Sequence, residues 1–282
     1  MYTMIGCPAI PMTQTATIHP SAVIEDDVHL DEDVIIGPHC IISGPVRIKS
    51  GTRLMGQNWI EGKTEIGHGN VLYPGARLGG PPQDLGFDAS NPEPGLVVGD
   101  ENTFREGFTA HRGKTDEPTR IGNKNYFMTN THVGHDSQLG DHITIATGAC
   151  LGGHVIIEDR VIIGGNTAVG QFVRVGRGAF LTGGYATSQS VLPWFMMTST
   201  GVCGAVNAVG MRRFNMTNEE IARRKWVYKV IHRMGLSIVQ ATRMLEEESS
   251  DPVVQEYLEF LRINDRPICH NALRPIRGGS RS

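Results

Sequence analysis

The sequence predicts a mainly β chain, wound into a parallel β-helix of hexapeptide repeats and followed by a C-terminal α-helical domain. Three observations predict it. Aliphatic residues recur every six positions through most of residues 15–198. Glycine is abundant, at 35 of 282 residues, while aromatics are only 6%. Within the remaining segment, 199–282, the six-residue period gives way after about residue 215 to helical spacing with cap signals.

The repeat carries most of the weight. Stepping by six from Ile18 gives Ile24, Leu30, Ile36, Ile42, Ile48, Leu54, Ile60, Ile66, Leu72 and Leu78. That is eleven aliphatic residues in eleven steps, where 39% apolar content would give about four by chance. The phase resumes at Val98, Phe104 and Ala110, and again from Ile121 through Val133, Ile145, Ile157 and Val169 to Leu181. A period of six is neither helical nor a two-sided strand pattern; it fits a short strand plus a tight turn. Three units close a triangular coil of eighteen residues. The aliphatic residue points inward, and smaller residues two positions earlier (Ala22, Thr52, Thr131, Ala149, Thr167, Ala179) also fit inside. Glycines that follow the aliphatic residue, as in Ile36-Gly37 and Val133-Gly134, suit turns that need positive φ. Twenty-five hexads make roughly eight coils stacked ~4.8 Å apart, a prism about 40 Å long.

The two phase breaks, 79–97 and 111–120, read as loops extruded from the prism, the kind of segment that often carries function. Beyond the prism, Thr217-Asn-Glu-Glu220 reads as a capping box opening a helix through Arg224, Tyr228 and Ile231 to near Gly235. Ser237–Ser249 and Asp251–Arg262 read as two more helices, with Ile238, Met244, Leu245, Val254, Tyr257, Leu258 and Leu261 as core. Such helices would cover an open end of the prism, where strand edges otherwise attract other chains. The Arg- and Gly-rich tail from His270 reads as frayed.

Composition excludes several classes. A net charge of −3 gives no basic field for non-specific nucleic-acid binding. Cysteines at 7, 40, 150, 203 and 269 contain no CxxC, so neither a zinc knuckle nor a disulfide framework is indicated, and a reducing compartment is expected. The apolar stretch Val191–Met197 is too short to span a bilayer, and Met1–Pro8 lacks the pattern of a signal peptide. A cytoplasmic protein without a transmembrane segment is the expectation.

The chemistry candidates are histidines. His19, His29, His39, His68 and His142 are assigned to solvated turns, whereas His111, His132, His135 and His154 cluster in the second half of the repeat. With eighteen residues per coil, His135 lies beneath Gly153 and Gly153 beneath Gln171, while Asp136 lies beneath His154 and His154 beneath Phe172. One corner of the prism therefore gathers an imidazole, a carboxylate and a bare glycine amide. A neutral imidazole can remove a hydroxyl proton near pH 7. A carboxylate fixes its tautomer. A glycine N–H can receive a developing oxyanion. A second reading has His132, His135 and His154 holding zinc, as in hexapeptide-repeat carbonic anhydrases. There is no P-loop or Rossmann fingerprint. Arg212-Arg213 is either a phosphate contact or a solvated basic pair.

These residues also carry a resemblance. Asn70-Val-Leu-Tyr-Pro-Gly-Ala, Pro82-Gln-Asp-Leu85, Thr109-Ala-His-Arg-Gly113, Thr131-His-Val-Gly-His-Asp136, Leu151-Gly-Gly-His-Val155 and Ile163-Gly-Gly-Asn-Thr-Ala-Val-Gly-Gln-Phe172 follow one another in order. With Val206-Asn207, Arg212-Arg213 and the helical tail, they make the chain similar to the acyl-acyl-carrier-protein–UDP-N-acetylglucosamine O-acyltransferases, which open lipid A synthesis. The resemblance covers roughly Thr15 to Arg262. It implies a left-handed β-helix and a cytoplasmic homotrimer with sites between subunits. It also implies transfer of a (3-hydroxy)acyl chain from acyl carrier protein to the 3-hydroxyl of the UDP-sugar, with no metal and no cofactor. Residue by residue, it implies His135 as general base, Asp136 as its support and Gly153 as oxyanion donor. His132, His154 and Gln171 would line the site, and Gln83 and Asp84 would touch the sugar nucleotide. Asn207 and Arg213 would handle the nucleotide and its phosphates, and Gly183 would gauge acyl length.

The chain departs from the family pattern at Gly170, where histidine is typical, and at Gly86, where lysine is common. Val209 stands in place of a glutamate, Phe214 in place of the second arginine of a pair, and Arg212 in place of a lysine. These are substrate-contact positions, and they leave open an amine acceptor giving an amide. A zinc hydrase on the same prism and a non-catalytic binder of sugar nucleotides are the other function classes.

Overall fold

The computed structural model describes residues 16–91 and 93–271. The expected start of the repeat at Thr15, the leader reading of Met1–Pro8, Cys7, Pro92 in the first loop and the tail beyond Asn271 lie outside the described residues.

Two- to five-residue strands alternate with turns and stack into three parallel sheets, the faces of a prism. The first face has ten parallel strands, the second nine and the third eight, and the first is extended by an antiparallel hairpin strand and one further strand. The third face thus matches the roughly eight coils expected, and the other two run longer. Successive rungs pair eighteen residues apart, as in Val133↔Leu151 and Leu151↔Val169 on the second face. The pairing spans 32 residues where Leu72 meets Phe104, and 23 where Phe104 meets Phe127. The extra residues therefore leave the column without disturbing its circumference. Both loops leave at the corner between the second and third faces, after Arg77–Gly80 and after Thr109–His111. Pairing resumes earlier than the phase breaks imply, at Leu96 and at Thr119.

The hexad aliphatics fill the column: Ile36, Ile60, Leu78, Val133, Leu151 and Ile163 are buried. Thr52, Thr131, Ala149, Thr167 and Ala179 are buried beside them, while Ala22 is half-buried near the open end. The inner position also holds asparagines that the small-residue pattern overlooked. Asn70 Oδ1 accepts from Asn102 N and Nδ2, Asn102 Oδ1 from Asn125 N, and Asn125 Oδ1 from Ile143 N. Their amide groups donate to the carbonyls of Gly99, Gly122 and Gly140, so this buried polar ladder is satisfied. Phe104, Phe108 and Phe127 pack ring on ring at centroid separations of 4.7–5.1 Å in the rungs that carry the loops.

The last strand of the first face, Phe195–Ser199, turns back as a hairpin with Val202–Val206. A short helix α1 follows (Ala208–Arg213), capped by Asn207. Neither the hairpin nor α1 has a signal in the hexad pattern. The capping box at Thr217 and Glu220 is present and opens α2 (Asn218–His232). Ser237 caps α3 (Ile238–Glu246), and Asp251 caps α4 (Pro252–Ile263). Val227, Val230, Leu245, Val254, Tyr257 and Leu258 join the prism's core cluster with Phe195, Met197 and Cys203. The helices therefore cover the hairpin end of the column. Ile238 is a correction: at the first turn of α3 it is exposed, and Ala241 and Leu245 supply the buried face. His270 is another: His270–Asn271 is a strand that pairs with Val202–Cys203, so the chain is still ordered where fraying was expected.

Phe127 packs against both other rings of the cluster and is fully buried. Phe127→Ala should lower stability by about 3–5 kcal/mol, read as a shifted urea-unfolding midpoint.

Candidate active site

The corner between the second and third faces is a column of three turns. Asp136, His154 and Phe172 occupy equivalent places, all with positive φ of 58–62°. At this corner ordinary residues, not the expected glycines, take the left-handed conformation. His154 stacks on Phe172 with centroids 4.5 Å apart and ring planes within 7°. The Arg266 guanidinium lies over the Phe172 ring at 5.2 Å.

Beneath them lies the imidazole–carboxylate pair. His135 Nδ1 is 2.5 Å from Asp136 Oδ2, and His154 Nε2 is 3.5 Å from the same oxygen. Asp136 Oδ1 accepts from Lys114 N at 3.0 Å, Thr115 N at 2.9 Å and Thr115 Oγ1 at 2.7 Å. Burial alone would raise this carboxyl's pKa, but the bonds from His135, Thr115 and Lys114 outweigh it and hold it below the ordinary value. Asp136 is therefore the ionised acceptor, so the His135 Nδ1 that faces it carries a proton, and in the neutral form of the ring this leaves the Nε2 lone pair bare. The Nε2 edge faces Gly153. A Cβ built there would lie 2.8 Å from both Cε1 and Nε2 of His135, so glycine is a steric requirement of the imidazole's position. Among the described residues, the Gly153 N–H has no acceptor.

A groove of about 550 Å³ opens in front of this pair along the second face. Gln83, His111, His132, His135, Gly153 and Gln171 line it, with Cys150, Ala168 and Ala186 as a floor of small side chains. His132 Nδ1 is 2.8 Å from Thr109 Oγ1. Burial, with His111 and His135 alongside, pushes the His132 imidazole down to about 4. Burial also lowers the pKa of His111 and His154, so the histidines around His135 are neutral at pH 7.

The loops seat themselves around this corner. Arg112 is almost wholly buried and donates to the carbonyls of Gly79, Ala89 and Asn91, pinning the first loop. Lys114 Nζ reaches Asp84 Oδ2 at 2.6 Å and ties the first loop to the second. Sequence reasoning did not single out Arg112, Lys114 or Thr115. Arg112 lies inside a quoted motif, but a loop-to-carbonyl pin leaves no periodic signal.

Eight predicted residues thus meet at one corner: Gln83, Asp84, His132, His135, Asp136, Gly153, His154 and Gln171. Three do not. Gly183 sits at the corner between the first and second faces, against Gly164 and Gly165. Asn207 and Arg213 line a different cavity, of about 440 Å³, with His142, Arg160, Trp194 and Phe214. Asn207's amide is held by backbone, accepting from Gly210 N and donating to Gly178 O, each at 2.9 Å. The zinc reading changes as well. Among the described residues, the donors that converge within 4.8 Å are His135, Asp136 and His154, whereas His132 bonds Thr109 instead.

A prism built of hexapeptide repeats, with a histidine-lined groove along one face, places the chain in the hexapeptide-repeat class. Comparison with known proteins narrows the class. Residues 191–269 match the family profile "Udp N-acetylglucosamine O-acyltransferase; Domain 2". The chain is 38% identical to the acyl-[acyl-carrier-protein]–UDP-N-acetylglucosamine O-acyltransferase of Rhizobium johnstonii, over 85% of this chain and 89% of that one. It is also 38% identical to the enzyme of that name from an Anaeromyxobacter species, over 89% and 98%. The solved UDP-N-acetylglucosamine acyltransferase of Francisella novicida superposes with a TM-score of 0.86 at 31% identity, covering 91% of this chain and 95% of that one. The chain belongs to the acyl-[acyl-carrier-protein]–UDP-N-acetylglucosamine O-acyltransferase family.

The depressed pKa of His132 makes stability depend on pH. An unfolded histidine takes up a proton below about pH 6.5, while the folded one resists it until about pH 4. Stability should therefore fall as pH drops through that window. His132→Gln should lose less stability than the unmodified protein between pH 7 and pH 5, measured by urea unfolding at each pH.

Proposed function

We propose that this acyltransferase moves a (3-hydroxy)acyl chain from an acyl-carrier-protein thioester to the 3-hydroxyl of UDP-N-acetylglucosamine, with His135 as general base. The observation that carries the base assignment is the Nδ1 bond to Asp136, which leaves Nε2 bare against Gly153. Nε2 takes the hydroxyl proton as that oxygen attacks the thioester carbonyl. Asp136 steadies the imidazolium that forms. The carbonyl oxygen becomes an oxyanion facing the Gly153 N–H. Collapse breaks the C–S bond, and the imidazolium returns its proton to the departing thiolate. Gln83 and Asp84 approach the sugar from the first loop, while His132 and Gln171 line the groove walls.

A homotrimer fits the placement of the second cavity. The His135 groove runs along the second face, whereas the Asn207 and Arg213 cavity lies on the first face and its far corner. One sugar nucleotide can touch both only across a boundary between copies. None of the described helices is long and apolar enough to cross a membrane. The proposed carrier-protein donor places the reaction in the cytoplasm. An acceptor amine would use the same base and amide.

His135→Ala should lower kcat at least about a hundredfold while circular dichroism and sedimentation as a trimer stay unchanged. Turnover within a few-fold of the unmodified enzyme would overturn the assignment. The compact His135, Asp136 and His154 donors make a metal arm necessary. Dialysis against a strong chelator should leave transfer to UDP-N-acetylglucosamine unchanged; a loss restored by zinc would favour the hydrase-like reading.

A further inference from the structure

We infer that Arg160 binds the diphosphate of the sugar nucleotide, acting with Arg213 from the cavity on the first face. The inference rests on the proposed UDP-sugar acceptor and names a residue for it. Arg213 and Phe214 end α1, and Arg160 projects from the turn two rungs below the Trp194 end of the prism. No carboxylate is among the residues lining this cavity. Some other arginines near the helical end are paired with acids. Arg174, Arg177, Arg223 and Arg224 each face a carboxylate within 2.9 Å. Among the described residues, neither Arg160 nor Arg213 has an acidic partner. Two guanidinium groups sharing one concavity without an acid repel each other, and a ligand with two negative charges relieves that repulsion.

Arg160 is also held ready. Its guanidinium lies 4.1 Å from the centroid of the Phe214 ring. Phe214 is in turn 5.9 Å from Trp194. Stacking on an aromatic face fixes the guanidinium plane and leaves its N–H edge free for phosphate oxygens, which it can meet two at a time. Phe214 stands where the family resemblance places the second arginine of a pair. Arg160 thus returns a guanidinium to the surface of the ring that replaced one. Asn207 shapes the same cavity, its amide holding the start of α1 and the Gly178 carbonyl. The apolar and aromatic wall of Trp194, Phe214 and Val209 suits a nucleobase beside the phosphates.

Calorimetric titration of the full-length protein with UDP tests this without acyl transfer. Arg160→Gln should weaken UDP binding by about tenfold or more, the effect of losing a charge-assisted contact. The exchange variant Arg160→Phe with Phe214→Arg should recover most of that loss, which a merely structural role for Arg160 would not allow. Arg47→Gln, at an exposed ion pair elsewhere on the prism, should stay within about twofold. Equal UDP affinity in Arg160→Gln and the unmodified protein would overturn the inference. Failure of the underlying functional reading would appear separately, as no acyl transfer by the unmodified enzyme from a panel of acyl carrier thioesters.

Discussion

Parallel pairing at eighteen-residue intervals is the constraint on which everything else in the molecule depends. Each rung must satisfy its backbone groups on the rung above, so the circumference cannot change without breaking a ladder. Extra residues have to leave at a corner. Both insertions leave between the second and third faces, and Phe104 and Phe127 still meet inside the column as though nothing had been added. The loops consequently fall beneath the turn that carries His135 and Asp136. Lys114 and Thr115 reach the Asp136 carboxylate because the fold gives the second loop nowhere else to go.

That enclosure explains the electrostatics of the corner. A buried carboxylate is unfavourable unless its lone pairs are filled. Asp136 has both oxygens occupied, one by loop donors and one by the imidazole. Ionised and held, it orients His135 without needing a charge of its own on any neighbouring histidine. His132 and His154 are kept neutral by burial, so the groove presents one polarised imidazole among uncharged rings. Arg112 does the mechanical part, fixing the first loop by its carbonyls so that Gln83 stays in the groove wall.

Much of the corner was legible in the sequence because period alone determines stacking. The placements of His135 under Gly153 and of Asp136 under His154 need only the number eighteen, and the residues themselves say what chemistry is present. The capping box at Thr217 was equally legible, since it is a local pattern with a local cause. What could not be read is whatever depends on contacts between segments without a shared period. The Asn70–Asn102–Asn125 ladder hides in positions that small residues also fill. The hairpin at Phe195–Val206, the strand at His270 and the pairing of Arg160 with Phe214 are products of tertiary packing. The capping role of Asn207 belongs to the same group: its side chain accepts from Gly210 N at the start of α1, a helix too short to leave a periodic signal.

Which nitrogen of His135 carries the proton decides whether the ring can act as a base, because only a bare Nε2 beside Gly153 can accept one from a hydroxyl. Nitrogen-15 spectroscopy of the histidine rings in the resting enzyme at neutral pH reads this directly, with His135 assigned by comparison with His135→Ala. The expected result is a protonated Nδ1 and an unprotonated Nε2. A proton on Nε2, with Nδ1 bare, would contradict the arrangement from which the rest is derived.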